Sequence, residues 1–545
     1  MNQNRSADGS GLILTGGGLF SANSPYLEKS TVIIRNGKIA DVGTWSNVKI
    51  PAKTQRIDAE GCSIVPGFIE SHTCFATDSR KIDQIDLQQT PLKLEALTQK
   101  LHAAADILEP EEWMVAVNYE EDASQGTVSI RAKDLDLIVQ DRPIALFSRE
   151  MDMGIFNTAA LNSLEFVDKL EDDAEVQFER TPDLKPTGRL SGNIAKILPD
   201  GFPCHELNSL KRKMIKLAGK FLSMGVTTVH DIDVFRPMDM AAYVSLRQEG
   251  KLPIRVVPFI RGYPRDECFL NGYLASGMGT GFGDAWLRLG PMKISIDGFL
   301  GKKTAAVSAP WDEQGYQYGQ LYISEDRLVE TIRKATNSGF QMAFHANGDR
   351  AIGLVLDALK KAQDRVSRPL LRPRIHHCTL PRPEQIKQMK RLDAVPVGHP
   401  HFIRFLGDSH LEILGEARVQ ADYFPFRRYM DEGLPGVLSS EPILPLDRIH
   451  PMIGISTAIT RKTLKGITLG PDHKIDLEEA LRMYTLNPAY AAFEEDYKGS
   501  VETGKFADMV VLNSNIRKVS PEDLDKVQVK YTILNGKIVY TKDAL

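Results

Sequence analysis

Eight short apolar runs in the central part of the chain restrict its fold more than any other feature. They lie at residues 64–69, 226–229, 254–260, 292–296, 340–344, 374–378, 394–397 and 436–439. Several of them are followed by helical patterns, such as those at residues 325–337 and 351–362. Strand-like runs that alternate with helical patterns predict βα units and a parallel sheet. Eight such units predict an α/β fold built on a closed (β/α)8 TIM barrel.

The two ends of the chain carry a different, shared pattern. Asn36-Gly37 and Asn535-Gly536 each lie between two strand-like runs, and residues 507–512 form a further run. Asn-Gly favours a tight hairpin because a type I′ turn needs a positive φ at both central residues. We predict that the two ends pair into one small β-sandwich domain. The alternative is a pair of unrelated surface hairpins.

About 150 residues separate the first apolar run from the second, far more than a usual connection. This stretch contains strand-like runs of its own, at residues 113–117 and 143–147. It is therefore predicted to be an inserted subdomain over the barrel mouth, because a βα connection leaves a barrel at its C-terminal face. The predicted division is 1–63 for the first part of the sandwich, 64–78 for the first barrel strand and its loop, 79–220 for the insert, 221–490 for the rest of the barrel and 491–545 for the second part of the sandwich.

Composition excludes several classes of protein. Lys plus Arg total 67 and Asp plus Glu total 71, so the net charge of −4 offers no basic surface for nucleic acid. No apolar run reaches about 18 residues, and the polar N-terminus does not resemble a secretory signal, so no membrane span or leader is predicted. Five cysteines without regular spacing favour a reducing cytosol over a disulfide framework. We expect a cytoplasmic protein with neither nucleic acid nor a membrane as a partner.

Chemically reactive side chains follow the ends of most of the eight runs. They are His72, Cys74, His230, Asp231, Lys293, Asp297, His345, His376, His377, His399, His401 and Glu441. In a (β/α)8 barrel the strand ends meet at one face, which is where active sites form. Imidazoles, a thiol, a lysine and a carboxylate at one face predict a transition-metal site.

Structural interpretations of single residues remain open beside this one. Taken alone, His230, His399 and His401 are interpreted as hydrogen-bonded structural histidines. Cys74 fits a small buried apolar residue equally well. Lys293 lies in an apolar run, where a lysine must pair with another group or lose its charge.

Six sequence segments together resemble the amidohydrolase superfamily, and within it the YtcJ-like branch. They are residues 65–72, 225–231, 293–298 with 304–306, 345–350, 374–377 and 499–512. The resemblance extends from about residue 12 to residue 540. It implies a metal-dependent barrel beside a β-sandwich that both chain ends build.

The resemblance also implies roles for individual residues, with some departures from the family pattern. The two histidines of the first strand are represented by His72 and Cys74. A lysine that is often carboxylated falls on Lys293, and two single histidines fall on His345 and His377.

Two further positions depart from the pattern. The aspartate of the eighth strand, a metal ligand and general base, is replaced by Glu441. A glutamate–histidine pair on the sixth strand has become His376-His377. Strand alternation predicts that the His376 ring points away from that of His377.

The resemblance therefore implies a metal site in which two ligand types are altered. Cysteine remains a good ligand for Zn²⁺, at about 2.3 Å, but makes a site softer and easier to oxidise. Glutamate keeps the carboxylate of an aspartate and adds one methylene. Because catalytic geometry tolerates only about 0.5 Å, either the site is shifted or Glu441 does not take the role of the aspartate.

The leading hypothesis is a metal-dependent hydrolase of an amide, N-acyl amine or cyclic amide. In it His345 and His377 hold one metal with Lys293, and His72 holds a second, with Cys74 as a further ligand. The expected catalytic residues are Lys293, His377 and Glu441. Of these, Glu441 transfers the proton of water to the leaving nitrogen. The expected cofactor is one or two Zn²⁺ ions, with iron or manganese as alternatives.

Two other functions stay open. The same fold supports lyase, isomerase or iron-dependent oxidative chemistry on a specialised metabolite, because a fold does not determine a reaction. A catalytically degenerate member of the family is the third reading. Relatives of this kind are often dimers, so a homodimer is expected.

Overall fold

A computed structural model describes most of the chain. The described residues are 11–44, 54–88, 94–109, 112–120, 129–148, 151–164, 176–192, 194, 198, 202–203, 206–262, 267–441 and 445–542. The chain divides into two compact units. One consists of Met1–Phe75 with Ala218–Leu545, and the other is Ala76–Leu217. In the residues that the structure describes, no helix is long and apolar enough to cross a membrane.

Six strands precede the second unit. They are β1 (Leu12–Leu19), β2 (Leu27–Arg35), β3 (Lys38–Gly43), β4 (Gln55–Asp58), β5 (Ser63–Pro66) and β6 (Phe68–Thr73). The run at residues 64–69, which the sequence predicts as one barrel strand, is thus divided between β5 and β6. The division falls at Gly67, where a Cβ atom would lie 2.2 Å from the Thr227 hydroxyl. Only glycine allows the backbone to approach Thr227 so closely, and the chain changes from one sheet to another there.

The second unit is a three-layer α/β fold of its own. Its elements are α1 (Phe75–Lys81), β7 (Ile85–Asp86), α2 (Leu94–Ala105), β8 (Met114–Tyr119), α3 (Ala132–Ile138), β9 (Ile144–Ser148), β10 (Met153–Phe156), α4 (Thr158–Ser163), β11 (Val176–Arg180), β12 (Pro186–Gly192) and α5 (Leu207–Ser223), whose last turns belong to the first unit. The strand order is β11-β12-β10-β9-β8-β7. Alternate residues of β8 and β9 enter two separate apolar cores, so both faces of the sheet are covered.

Seven more parallel strands complete the barrel that β6 begins. They are β13 (Val226–Val234), β14 (Arg255–Arg261), β15 (Met292–Ser295), β16 (Met342–Ala346), β17 (Arg374–His377), β18 (Val395–Gly398) and β19 (Val437–Leu438). The helices among and after them are α6 (Pro237–Gln248), α7 (Glu267–Ala275), α8 (Glu325–Asn337), α9 (Asp349–Gln363), α10 (Pro383–Arg391), α11 (Pro400–Leu414), α12 (Glu416–Asp422), α13 (Phe426–Asp431), α14 (Pro451–Thr460), α15 (Leu477–Tyr484) and α16 (Leu486–Ala491). Each predicted apolar run overlaps one barrel strand, which confirms the predicted (β/α)8 fold.

Side chains join the first barrel strand to the last. The Ser71 hydroxyl donates to the Leu438 carbonyl oxygen at 3.3 Å. The Glu70 carboxylate accepts from the Ser439 hydroxyl at 2.7 Å, and from the Ser440 backbone N–H at 2.9 Å. These bonds bring the residues just before Glu441 against β6.

Both chain ends contribute to one sheet beside the barrel, called here the terminal sheet. Its C-terminal strands are β20 (Met509–Leu512), β21 (Val529–Leu534) and β22 (Lys537–Thr541). The order is β22-β21-β20-β5-β1-β2-β3, with β4 paired to β1, and β20 runs antiparallel to β5. Apolar residues from both ends share one core. This confirms that the two ends build one β domain.

The predicted Asn-Gly turns are present in that domain. Asn36 and Gly37 have φ values of 52° and 76°, and Asn535 and Gly536 have values of 51° and 76°. Four positive φ values at these positions are those a type I′ hairpin requires. Short 3₁₀ turns complete the chain at Leu446–Arg448, Pro471–His473, Ile516–Lys518 and Pro521–Lys526.

Candidate metal centre

A cavity of about 730 Å³ opens among the C-terminal strand ends of the barrel, and is called here the strand-end pocket. All six residues that the sequence suggests as metal ligands line it: His72, Cys74, Lys293, His345, His377 and Glu441. They come from five different strands or the loops after them, and only the barrel brings them together. The pocket is therefore the place where the chain concentrates its reactive side chains.

Four buried residues form a tighter group within this region, called here the His–Glu cluster. It consists of His72, His377, His399 and Glu441, and one ligand atom of each lies within 4.8 Å of the others. Glu441 Oε2 lies 3.3 Å from His72 Nε2, 3.4 Å from His399 Nε2 and 3.8 Å from His377 Nδ1. Ligands around a tetrahedral Zn²⁺, at bond lengths of about 2.1 Å, are separated by about 3.4 Å. Three imidazoles around one carboxylate oxygen have the spacing of a metal site.

Hydrogen bonding supports the same interpretation. Among the described residues, His377 Nδ1 and His399 Nε2 have no hydrogen-bond partner, although both atoms are buried. Buried polar atoms in proteins normally have a hydrogen-bond partner, so a buried nitrogen without one indicates a bound partner of another kind. A divalent cation bound by the His–Glu cluster would satisfy both nitrogens.

His399 is the residue that the sequence interpretation underrated. It follows β18, and its side chain is fully buried beside Glu441. Its position after a barrel strand was the available signal, the same one that singled out His345. By contrast, His230 Nδ1 contacts the Arg374 guanidinium at 3.0 Å, and His401 Nε2 lies 3.2 Å from the His450 carbonyl oxygen.

The backbone is unusual at two members of the His–Glu cluster. His377 has φ of 67° and Glu441 has φ of 72°, in the left-handed region that residues with a side chain rarely adopt. Such strain persists only where surrounding structure holds it, and it is common at functional sites. Each residue ends a barrel segment, so the turn directs its side chain into the pocket.

This geometry corrects the expectation for His376. Strand alternation predicts rings on opposite sides, but the rings of His376 and His377 have their centroids 4.9 Å and 4.8 Å from that of His72. The positive φ at His377 interrupts the alternation at the end of β17. His376 Nδ1 lies 2.8 Å from His72 Nδ1, which leaves His72 Nε2 facing Glu441.

Three of the predicted ligands line the pocket outside the His–Glu cluster. Cys74 packs against an apolar group of Ile232, Val257, Phe259 and Ala343. His345 Nε2 lies 3.1 Å from the Asn347 amide nitrogen. Lys293 is 6% exposed. The structure thus brings these side chains to the pocket without placing Cys74 or His345 in the four-residue group.

Burial determines the protonation of the site. It holds the pKa of His72 and His377 well below the ordinary value and lowers the pKa of His345 and His399 to about 3. These imidazoles are therefore neutral near pH 7, the form that binds a metal. Burial also lowers the pKa of Lys293 to about 8.

A buried carboxylate organises the segment after His345. Asp297 accepts backbone N–H groups from Ala306, Asn347 and Gly348, each at 2.9 Å. Burial raises the pKa of Asp297 to about 7 despite these bonds. The three bonds join the loop that follows β15 to the residues that follow β16.

The outer part of the pocket is more apolar. Phe235, Phe299 and Tyr322 line it, and the ring centroid of Phe299 lies 5.4 Å from that of His345. An ion pair between Arg261 and Asp233 lines another part. The pocket thus combines a polar floor with a partly aromatic entrance, as small-molecule sites do.

Known proteins share this architecture. The profile of the amidohydrolase family matches residues 55–540. The YtcJ protein of Bacillus subtilis (strain 168), which is named as an amidohydrolase, is 24% identical over 94% of this chain and 96% of its own. N-substituted formamide deformylase of Arthrobacter pascens is 26% identical over 94% of this chain and 95% of its own.

Similarity to a solved structure agrees with the family match. The crystal structure of an uncharacterised metal-dependent hydrolase from Pyrococcus furiosus has a TM-score of 0.75 at 24% identity, and covers 94% of this chain and all of the other. At this identity it supports the fold alone. The family match spans nearly nine-tenths of the residues and confirms the resemblance seen in the sequence motifs. The chain belongs to the amidohydrolase family, in its YtcJ-like branch.

Proposed function

We propose that this protein is a metal-dependent hydrolase that cleaves a carbon–nitrogen bond of a small molecule. The observation that carries the proposal is the His–Glu cluster, three neutral imidazoles around one carboxylate oxygen. His72, His377 and Glu441 of this cluster line the strand-end pocket. The bond is an amide, an N-acyl amine or a cyclic amide. The relative named N-substituted formamide deformylase supports this choice of bond.

Zinc is the proposed metal. Three imidazoles and a carboxylate match the ligands that Zn²⁺ takes in proteins, and His72, His377, His399 and Glu441 would hold it. Lys293, Cys74 and His345 line the same pocket and would hold a second ion there. Carbamate formation at Lys293 requires the neutral amine, and the lowered pKa of Lys293 increases its neutral fraction. Iron and manganese are the alternative metals.

In the proposed mechanism, the metal and the side chains of the protein have different roles. A bound divalent metal acidifies water and polarises a carbonyl. Glu441 accepts the proton of the attacking water and donates it to the leaving nitrogen. The left-handed backbone at Glu441 aims its carboxylate at the centre of the cluster, and Glu70 holds the two preceding serines in place.

The reaction and its metal are tested together. Purified protein is analysed for metal and assayed against a panel of N-acyl and N-formyl amines and cyclic amides. The expected result is about one or two Zn²⁺ per chain with hydrolysis of at least one compound. Iron without hydrolysis would favour oxidative, lyase or isomerase chemistry, and absence of metal would favour a degenerate member of the family.

Substitution of the proposed base separates metal binding from proton transfer. Glu441→Gln keeps an oxygen ligand but removes the proton acceptor, so hydrolysis should fall about 10²- to 10⁴-fold while zinc remains bound. Glu416→Gln, at an exposed position in the first turn of α12, is the matched control. Unchanged turnover in Glu441→Gln would remove Glu441 from the mechanism.

A further inference from the structure

One contact beneath the His–Glu cluster has no role in the proposed chemistry. His72 Nδ1 and His376 Nδ1 lie 2.8 Å apart, within hydrogen-bond distance. His72 is 2% exposed and His376 is completely buried, so water does not compete for this contact. Two ring nitrogens this close share one proton, because two N–H groups would repel each other and two lone pairs would form no bond.

The opposite side of the His72 ring decides which nitrogen carries the proton. His72 Nε2 lies 3.3 Å from Glu441 Oε2, inside the His–Glu cluster. A metal at the cluster takes the lone pair of Nε2, and a neutral imidazole then carries its proton on Nδ1. His376 Nδ1 must accept that proton, and the proton of His376 must lie on Nε2.

We propose that His376 is a positioning residue, whose Nδ1 accepts the His72 Nδ1–H and thereby fixes His72 as a metal ligand through Nε2. The inference rests on the proposed metal site. Histidine ligands in proteins generally donate their second N–H to an acceptor, and loss of that acceptor weakens metal binding. Here the acceptor is a second histidine, on the neighbouring position to His377.

Among the described residues, His72 Nδ1 is the only polar atom recorded within hydrogen-bond distance of the His376 ring. Its Nε2 has no hydrogen-bond partner among the described residues. The ring lies edge-on to Phe259, with centroids 5.7 Å apart. His376 therefore has one polar contact available for a directional role, and that contact is with His72.

Two substitutions at one position test the proposal. In His376→Asn the amide oxygen can replace Nδ1 as an acceptor, whereas in His376→Leu the volume remains but no acceptor does. The zinc dissociation constant is measured by competition with a chelating indicator, on protein whose folding is checked by circular dichroism. We expect His376→Leu to bind zinc about 10- to 100-fold more weakly and His376→Asn to recover most of the affinity.

A matched pair of control variants separates this role from the loss of any buried histidine. His410 is 4% exposed, and its Nδ1 lies 2.8 Å from the Tyr423 hydroxyl, away from the His–Glu cluster. His410→Leu and His410→Asn should alter stability and leave zinc affinity within about twofold. Nitrogen-15 spectra of the zinc-loaded wild-type protein should also show the His72 proton on Nδ1.

The outcomes are distinct. Equal zinc affinity in His376→Leu and the wild type, or equal loss in His376→Leu and His376→Asn, would overturn the positioning role and leave the proposed function intact. A wild-type chain that binds no zinc, iron or manganese would overturn the proposed metal site itself. If His376→Leu does not fold, the comparison of His376→Asn with the wild type and the nitrogen-15 spectrum still decide the question.

Discussion

The reactive groups in and around the strand-end pocket form two sets, called here its first and second sides, that differ in how they are satisfied. The sets are neighbours, since the ring centroids of His377 and His345 lie 4.3 Å apart. On the first side, His377 and His399 present buried nitrogens without hydrogen-bond partners among the described residues, directed at Glu441. On the second side, Cys74 packs against apolar side chains and His345 already contacts Asn347. Both sides contain residue types that bind metals, so residue type alone does not distinguish them. The difference indicates that the first side offers open ligand atoms to a cation, whereas the second would bind a further ion only by giving up contacts that it already makes.

The largest expected effect on zinc affinity and hydrolysis comes from removing one imidazole of the first side. His399→Ala deletes a proposed ligand and should weaken zinc binding by more than about 100-fold. This loss exceeds the one expected when a residue that contacts a ligand, and not the metal, is replaced. Hydrolysis should fall to background, and both quantities are measured on the same preparation. His401→Ala, two residues along the chain, is the control for loss of an imidazole. Zinc affinity in His399→Ala like that of the wild type would place the metal elsewhere in the pocket.

Acid should affect both sides, because both depend on neutral histidines. The folded pKa values of His345 and His399 are about 3, below the ordinary 6.5, so the unfolded chain takes up protons first as pH falls. Each residue therefore contributes stability above about pH 6.5 that is lost progressively toward pH 3, at up to about 1.4 kcal/mol per pH unit.

Urea unfolding of the metal-free protein from pH 7 to pH 4.5 measures this loss. His399→Asn removes one of the buried histidines whose pKa is lowered and should make the dependence shallower. A free energy of unfolding that does not change over this range would show that the histidines are accessible to protons in the folded chain.

The smallest expected effect is at Cys74. Because its side chain packs with apolar residues and lies outside the His–Glu cluster, Cys74→Ser should change the affinity for the zinc held by that cluster by less than about threefold. A loss comparable with that of His399→Ala would make the two sides of the pocket equivalent, and would favour a site that uses the thiolate.

Local patterns were sufficient to predict most of the fold. The eight apolar runs became barrel strands because each is short, apolar and bounded by breaks, and those properties do not depend on distant residues. The two Asn-Gly hairpins formed for the same local reason. The division at Gly67 was not predictable, since it depends on Thr227, about 160 residues away in the sequence.

The sequence predicts which residues line the candidate site better than it predicts which of them lie together in the His–Glu cluster. Strand-end position identified seven of the residues that line the pocket, because parallel strands end at one face of a barrel. It could not rank His399 above Cys74 or His345, since side-chain direction at a strand end depends on the local φ. The positive φ at His377 likewise reversed the expectation for His376.

The pairing of β5 with β20 also determines how long β5 waits for this partner during synthesis of the chain. β5 ends at Pro66 and β20 begins at Met509, so the ribosome adds more than 400 residues before β5 meets this partner. At 5–20 residues per second, this takes roughly 20–90 s. During that interval an apolar edge containing Ile64 and Val65 stays available for wrong pairing, which makes the nascent chain a natural client for chaperones.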